Sequence, residues 1–219
     1  EETGLIIPIG KWVTRQACRM CKQLLAVGLG ECPIAINVSP KQFSDPELVS
    51  SIRDILSEEE LPAHLLELEL TESLLLEASE ATRQQLDDLK ALGLSLAMDD
   101  FGTGYSSLVQ LKSLPIKELK IDRQFVMALP DSVEDLAITR TIVAMGRSLD
   151  LQVVAEGVET SEQLELLRSM GCSIAQGYFI ARPMPITDLL AWLAERVGER
   201  RSVLPPRPSV RSLRRPVVA

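Results

Sequence analysis

The chain has 219 residues, 46% hydrophobic and 25% charged, the balance of an ordinary globular protein. No apolar run approaches the roughly 18 residues of a membrane span, and no signal-peptide pattern opens the chain, so a cytoplasmic location is expected. The net charge of −8 is uneven: six arginines and no acid lie from Arg200 onward, leaving 17 basic against 31 acidic residues before them. That acidic body argues against binding a nucleic-acid polymer and suits a protein that gathers carboxylates around cations.

The first element, IPIGKWVTRQACRMCKQLLAVG, reads as an amphipathic helix that stops near Gly28 and Gly30, where glycine tolerates positive φ. Its Cys18 and Cys21 form a C-x-x-C, but a zinc site needs two more ligands, and the only histidine, His64, is distant in sequence. The pair therefore reads as two small buried thiols of a reducing compartment. PIAINV (33–38) follows as a short strand, then the helix SDPELVSSIRDIL, with Ser44 and Glu47 as a capping box. Glu58, Glu59 and Glu60 read as a solvated charge run.

The alternation then repeats. LLELEL (65–70) is a strand, and EASEATRQQLDDLKALG a helix ending at Gly93. LSLAM (94–98) is a strand, followed by a short helix over 106–113. ELKI (118–121) precedes a long helix over 133–149, and LQVVA (151–155) precedes a helix capped by Thr160 and Gln163. SIAQ (173–176) is the last strand, and TDLLAWLAERVG the last helix. The chain thus divides into one domain over 1–198 and a basic Pro/Arg-rich tail over 199–219 that reads as disordered.

Six strand-helix units after a leading helix imply an α/β fold with a parallel sheet, either doubly wound or a (β/α)8 barrel. The polar residues favour the barrel. Each strand ends in groups that bind a cation or move a proton: Asn37; Glu69; Asp99 and Asp100; Lys120 and Asp122; Glu156; Gln176. Convergence of many strand ends on one site is a barrel property, whereas an open sheet collects ligands only at its switch point. A barrel closes with eight strands, so the expectation is a TIM-type barrel lacking about its first two.

This oxygen-rich, histidine-free donor set suits Mg²⁺ or Mn²⁺ better than zinc. Asp99 and Asp100 repel one another, and a divalent pair bridged by one carboxylate removes that penalty. Taken alone, DD before a Gly-rich turn reads better as a turn and helix cap, and the metal reading rests on the whole set recurring at successive strand ends. Gly102 and Gly104 permit a sharp turn beside a ligand. Lys120 could orient a water, and Glu156 could serve as a base or metal ligand. Glu67 reads as outward or paired.

The stretches INVSPKQF, LELELTES, MDDFGTGYSSL, LKIDRQFV, VVAEGVET and AQGYFIARPMP, in this order, resemble the EAL-domain family of cyclic di-GMP phosphodiesterases from residue 1 to about 197. The resemblance implies a (β/α)8-type barrel, often with one antiparallel strand. It also implies hydrolysis of cyclic di-GMP to pGpG with Mg²⁺ or Mn²⁺. Position by position, it implies Asn37, Glu69 and Asp99 as metal ligands, with Asp99 bridging, and Asp100, Asp122 and Glu156 at a second metal. Glu156 would also be the base, Lys120 would hold the attacking water, and Gln176 would support the water or metal. Glu72 and Glu159 would fix the loop carrying Gly102 and Gly104, which the family uses in homodimerisation and substrate response. An upstream sensor or GGDEF-type domain is a further expectation. The Glu-Ala-Leu triplet that names the family, whose glutamate binds the first metal, does not occur in this chain. The expectation is a chain beginning downstream of it and hydrolysing weakly or not at all. The alternative is an inactive cyclic di-GMP-binding or interaction module.

Overall fold

A computed structural model describes residues 4–28, 31–76, 79–104 and 108–203. The chain forms two units, Glu1–Pro183 and Met184–Ala219. In chain order the first unit holds α1 (Ile6–Ala26), β1 (Ile34–Asn37), α2 (Pro40–Phe43), α3 (Leu48–Glu58), β2 (Leu66–Thr71), α4 (Glu72–Leu76) and α5 (Glu80–Ala91). It continues with β3 (Ser95–Phe101), α6 (Leu108–Ser113), β4 (Glu118–Ile121), α7 (Arg123–Met127), α8 (Val133–Ser148), β5 (Gln152–Ala155), α9 (Ser161–Met170) and β6 (Ile174–Ala175). The second unit contributes α10 (Ile186–Val203), which runs past the predicted end at Gly198 and places Arg196 over the Trp192 ring. The rest of the basic tail lies outside the described residues.

The six strands form one curled sheet in sequence order, β1-β2-β3-β4-β5-β6, and every pairing among them is parallel. An unbroken order has no reversal point, so all crossovers pass the same way, as in a barrel wall and unlike a doubly wound sheet. The antiparallel strand allowed for by the resemblance is not among these six.

Period-two alternation separates the two faces. Leu66, Leu68, Leu70, Leu96, Met98, Leu119 and Ile121 are fully buried in the core beneath the helices. Each such side chain contributes about 1.5–3 kcal/mol of burial. The alternate residues Glu67, Glu69, Glu118 and Lys120 therefore share the opposite face.

Local signals explain most boundaries, with two corrections. The capping box lies at Ser39–Gln42, where it starts α2; α3 begins after Glu47 without a side-chain cap, and Ser44 Oγ instead donates to the Pro40 carbonyl. Pro40 at the first helical position and a hydroxyl before it out-compete the later Ser44–Glu47 pair. The Thr160–Gln163 box is present as predicted. The second correction is Glu59: it is buried, gripped by Arg19 and Lys22 at 3.0 and 2.9 Å. With Arg15 at 3.7 Å, three cations on one face of α1 turn part of a solvated run into a tertiary clamp.

The C-x-x-C is structural: Cys18 and Cys21 are buried free thiols, and the Cys21 thiol donates to the Leu65 carbonyl at 3.2 Å. Burial pushes the Cys18 thiol up to about 11.

Candidate active site

The site lies where the strands of the curled sheet end. β1 and β2 pair with Asn37 opposite Glu69, and Asn37 is exposed while Ile36 and Val38 on either side are buried. The next strand places Asp99 beside Thr71.

Strand alternation alone would turn Asp99 and Asp100 to opposite faces. Here β3 extends through Phe101, and its register with β4 slips between Met98 and Phe101: Met98 pairs with Leu119, but Phe101 pairs with Ile121. Three steps on β3 thus span two on β4, the signature of a bulge, and Asp100 takes φ +55° within it. The extra residue returns Phe101 to the core, 5% exposed, and leaves both aspartates available at the strand end.

Lys120 is the hub. Its ammonium is 2.6 Å from Glu69 Oε1, 2.7 Å from Glu156 Oε1 and 3.3 Å from Asp99 Oδ1, and the residue is 3% exposed. Burial opposes its charge, but the hydrogen bonds it donates to Glu156 and Glu69 outweigh that cost and raise its pKa. Residues from β2, β3 and β4 and the loop after β5 therefore meet at one side chain. Asp99 Oδ1 is buried and accepts no hydrogen bond.

The neighbouring acids show the strain of shared charge. The Asp100 carboxyl is raised by burial and by the charges of Asp99 and Asp122. Burial also raises Glu156, against the pull of Lys120. Asp122 follows β4 and caps α7 by accepting from Gln124 N at 2.7 Å. Gln176 is exposed just after β6, its N–H donating to the Ala155 carbonyl at 2.8 Å, which sets it beside Glu156.

The Gly-rich loop is held by Glu72, which is buried and accepts from Gly102 N at 3.0 Å and Gly104 N at 3.2 Å. A Cβ on Gly104 would lie 2.9 Å from Glu72 Oε1, so a larger residue there would displace the Glu72 carboxylate from these amides. Glu159 differs from its expected role. Its side chain is exposed and holds no described part of the loop, while its N–H donates to Gln163 Oε1 at 2.7 Å. Residues 105–107 of the loop lie outside the described residues.

Two further acids, Glu67 and Glu118, lie on this face. Glu118 is half-buried, and its carboxyl is pushed up to about 7 by burial and the Glu67 charge, partly offset by Lys120. Glu67 is raised by burial and by Glu69. The signal was present: each lies two residues before a site residue on its strand, hence on the same face.

The donors test well against a divalent cation by chemistry. They are carboxylate and amide oxygens, one of them buried without a hydrogen bond. Among the described residues no three Asp, Glu, His or Cys side chains are drawn together at ligating geometry. Lys120 sits among the carboxylates and supplies the positive charge there.

Comparison with known proteins places this geometry. A family profile described as EAL domain matches residues 1–183. The chain is 48% identical over 195 residues to the bifunctional diguanylate cyclase/cyclic di-GMP phosphodiesterase MucR of Pseudomonas aeruginosa, covering 89% of this chain and 28% of MucR. It is 44% identical over 199 residues to the signaling protein YkoW of Bacillus subtilis, covering 91% and 25%. The chain thus spans about a quarter of the length of these curated relatives. Among solved structures, the Pseudomonas aeruginosa MucR phosphodiesterase in complex with c-di-GMP superposes with a TM-score of 0.84 at 46% identity, covering 86% of this chain and 76% of that one. The EAL domain of Mycobacterium smegmatis DcpA gives 0.79 at 42%, covering 85% and 84%. No described helix is long and apolar enough to cross a membrane. With its six-stranded barrel wall, its acid cluster around Lys120 and a profile match over 183 residues, the chain belongs to the EAL-domain family.

Proposed function

We propose that this chain is the phosphodiesterase region of a cyclic di-GMP signalling protein, hydrolysing the cyclic dinucleotide to linear pGpG. The observation that carries the reading is the convergence of Glu69, Asp99 and Glu156 on one buried lysine at the strand ends, with Asp99 Oδ1 buried and accepting no hydrogen bond.

Asn37, Glu69 and Asp99 would hold one divalent cation, and Asp100, Asp122 and Glu156 a second, with Asp99 available to serve both. Mg²⁺ or Mn²⁺ there would supply Lewis acidity toward the phosphoryl oxygens. The chain's own residues do the rest. Lys120 orients the attacking water through its ammonium. Glu156, its pKa raised by burial against the pull of Lys120, takes the proton from that water. Gln176 supports the water from the neighbouring strand end. Water oxygen bonds to phosphorus, the bond to the 3′-oxygen breaks, and that oxygen takes a proton from bulk water and leaves as a hydroxyl. Glu72 keeps the Gly102–Gly104 turn against the site. Homodimerisation through the barrel, a cytoplasmic location and an upstream sensor or GGDEF-type domain belong to the same reading.

The 219 residues contain no Glu-Ala-Leu triplet, so the first-metal glutamate of the family is not among them. Turnover by this chain is accordingly weak or absent, while binding persists. The test is calorimetry with cyclic di-GMP in Ca²⁺, paired with chromatographic detection of pGpG in Mg²⁺ or Mn²⁺. Binding with little product is expected. Binding of neither substrate nor cation would overturn the reading. The same absence favours a second reading, a cyclic di-GMP-binding module without turnover, which would yield no pGpG even when the upstream coding sequence is included.

A further inference from the structure

We propose that Arg123 is a substrate-binding residue that holds the phosphate of a cyclic dinucleotide not undergoing cleavage, an assignment that rests on the functional reading above. β4 and β5 pair with Ile121 opposite Ala155, and the register carried forward sets Asp122 beside Glu156 and Arg123 beside Gly157. Arg123 therefore stands one residue beyond two of the acids that close the site.

Gly157 fits that position. It takes φ +73°, and a Cβ there would lie 2.7 Å from the Cβ of Arg123. The loop after β5 thus passes directly against Arg123, and any larger residue at 157 would push the two strand ends apart.

The charge inventory singles Arg123 out. The strand ends carry Glu69, Asp99, Asp100, Asp122 and Glu156, a field that repels an anionic dinucleotide. Lys120 is committed to three of these carboxylates. Arg182 lies over the Tyr178 ring. Arg123 is exposed and, among the described residues, has neither an ion pair nor a hydrogen bond from its guanidinium. A cyclic dinucleotide has two phosphates. The acid cluster and its cations engage the one being cut. The other needs a cation outside that cluster, and a planar guanidinium matches phosphate oxygens through paired N–H donors.

The test is calorimetry of the 219-residue chain in Ca²⁺, where turnover is suppressed, with cyclic di-GMP and with GMP, whose single phosphate occupies only the acid cluster. Arg123→Ala should weaken cyclic di-GMP about ten- to a hundred-fold, the span of one charge-assisted hydrogen-bonded contact. Arg123→Lys should recover part of the loss, and GMP affinity should move by less than about two-fold on the same scale. Equal cyclic di-GMP binding by parent and Arg123→Ala would overturn this assignment and leave the functional reading standing. So would an equal loss for both ligands, which marks a general effect on the site. Failure of the parent chain to bind either ligand would remove the functional reading and this assignment with it.

Discussion

Replacing Lys120 with methionine tests whether the cluster is organised by one charge. The lysine is 3% exposed and lies 2.6, 2.7 and 3.3 Å from Glu69, Glu156 and Asp99. Methionine matches its length and removes its charge, leaving three carboxylates facing one another. Removing one partner of a buried ion pair costs about 3–5 kcal/mol. The acid side chains keep between 10% and 18% of their surface, so water reaches them and the lower end, about 3 kcal/mol, applies. The lysine pKa is raised in the fold, so its stabilisation is fully present below the ordinary lysine value and is lost only as pH climbs through the folded one. Urea unfolding at pH 7.5, followed by far-UV circular dichroism in dilute solution with EDTA, therefore reads the whole deficit. Lowering the pH should shrink it as the carboxylates protonate. Mg²⁺ at about a hundred times its dissociation constant should return up to about 2.7 kcal/mol to the variant by binding the freed acids. A deficit below about 1 kcal/mol, the scale of an exposed pair, would refute the hub. A deficit unmoved by any divalent concentration would refute the cation site.

Glu118→Gln should flatten the pH dependence of stability. An acid whose folded pKa is raised to about 7 is most favourable protonated, so stability is highest near pH 4.5 and falls as pH rises to about 7. The full gap from an ordinary glutamate is worth at most ~3 kcal/mol, reduced to about 1–2 by partial exposure. Unfolding curves at pH 5 and 8 should show the variant gaining only at the higher pH, and equal gains at both would contradict this. Glu72→Ala should free the Gly102 and Gly104 amides, costing about 3–6 kcal/mol for two bonds to a charged acceptor. Their hydrogen exchange should accelerate by ten-fold or more, and unchanged protection would show another anchor. β1 and β6 each present one unpaired edge among the described strands, so light scattering should rise with concentration. A sample that stays monomeric when concentrated would count against an open wall.

Much of this molecule was legible because its signals are local. Six short apolar runs separated by amphipathic stretches specify parallel strands with helical crossovers, and polar residues at every run's end specify a common mouth. Period two assigned Asn37 and Glu69 to that mouth and, applied two residues earlier, would have added Glu67 and Glu118. The Thr160–Gln163 cap needed nothing beyond four residues. Three features were decided by tertiary structure. The slip between β3 and β4 allows both Asp99 and Asp100 to serve the site, because a bulge depends on the neighbouring strand's register. Glu59 changed from solvated to clamped because Arg19 and Lys22 approach from a helix 40 and 37 residues away. Lys120 became the centre of the site because three other segments deliver a carboxylate to it, and no spacing along the chain encodes a meeting point in space.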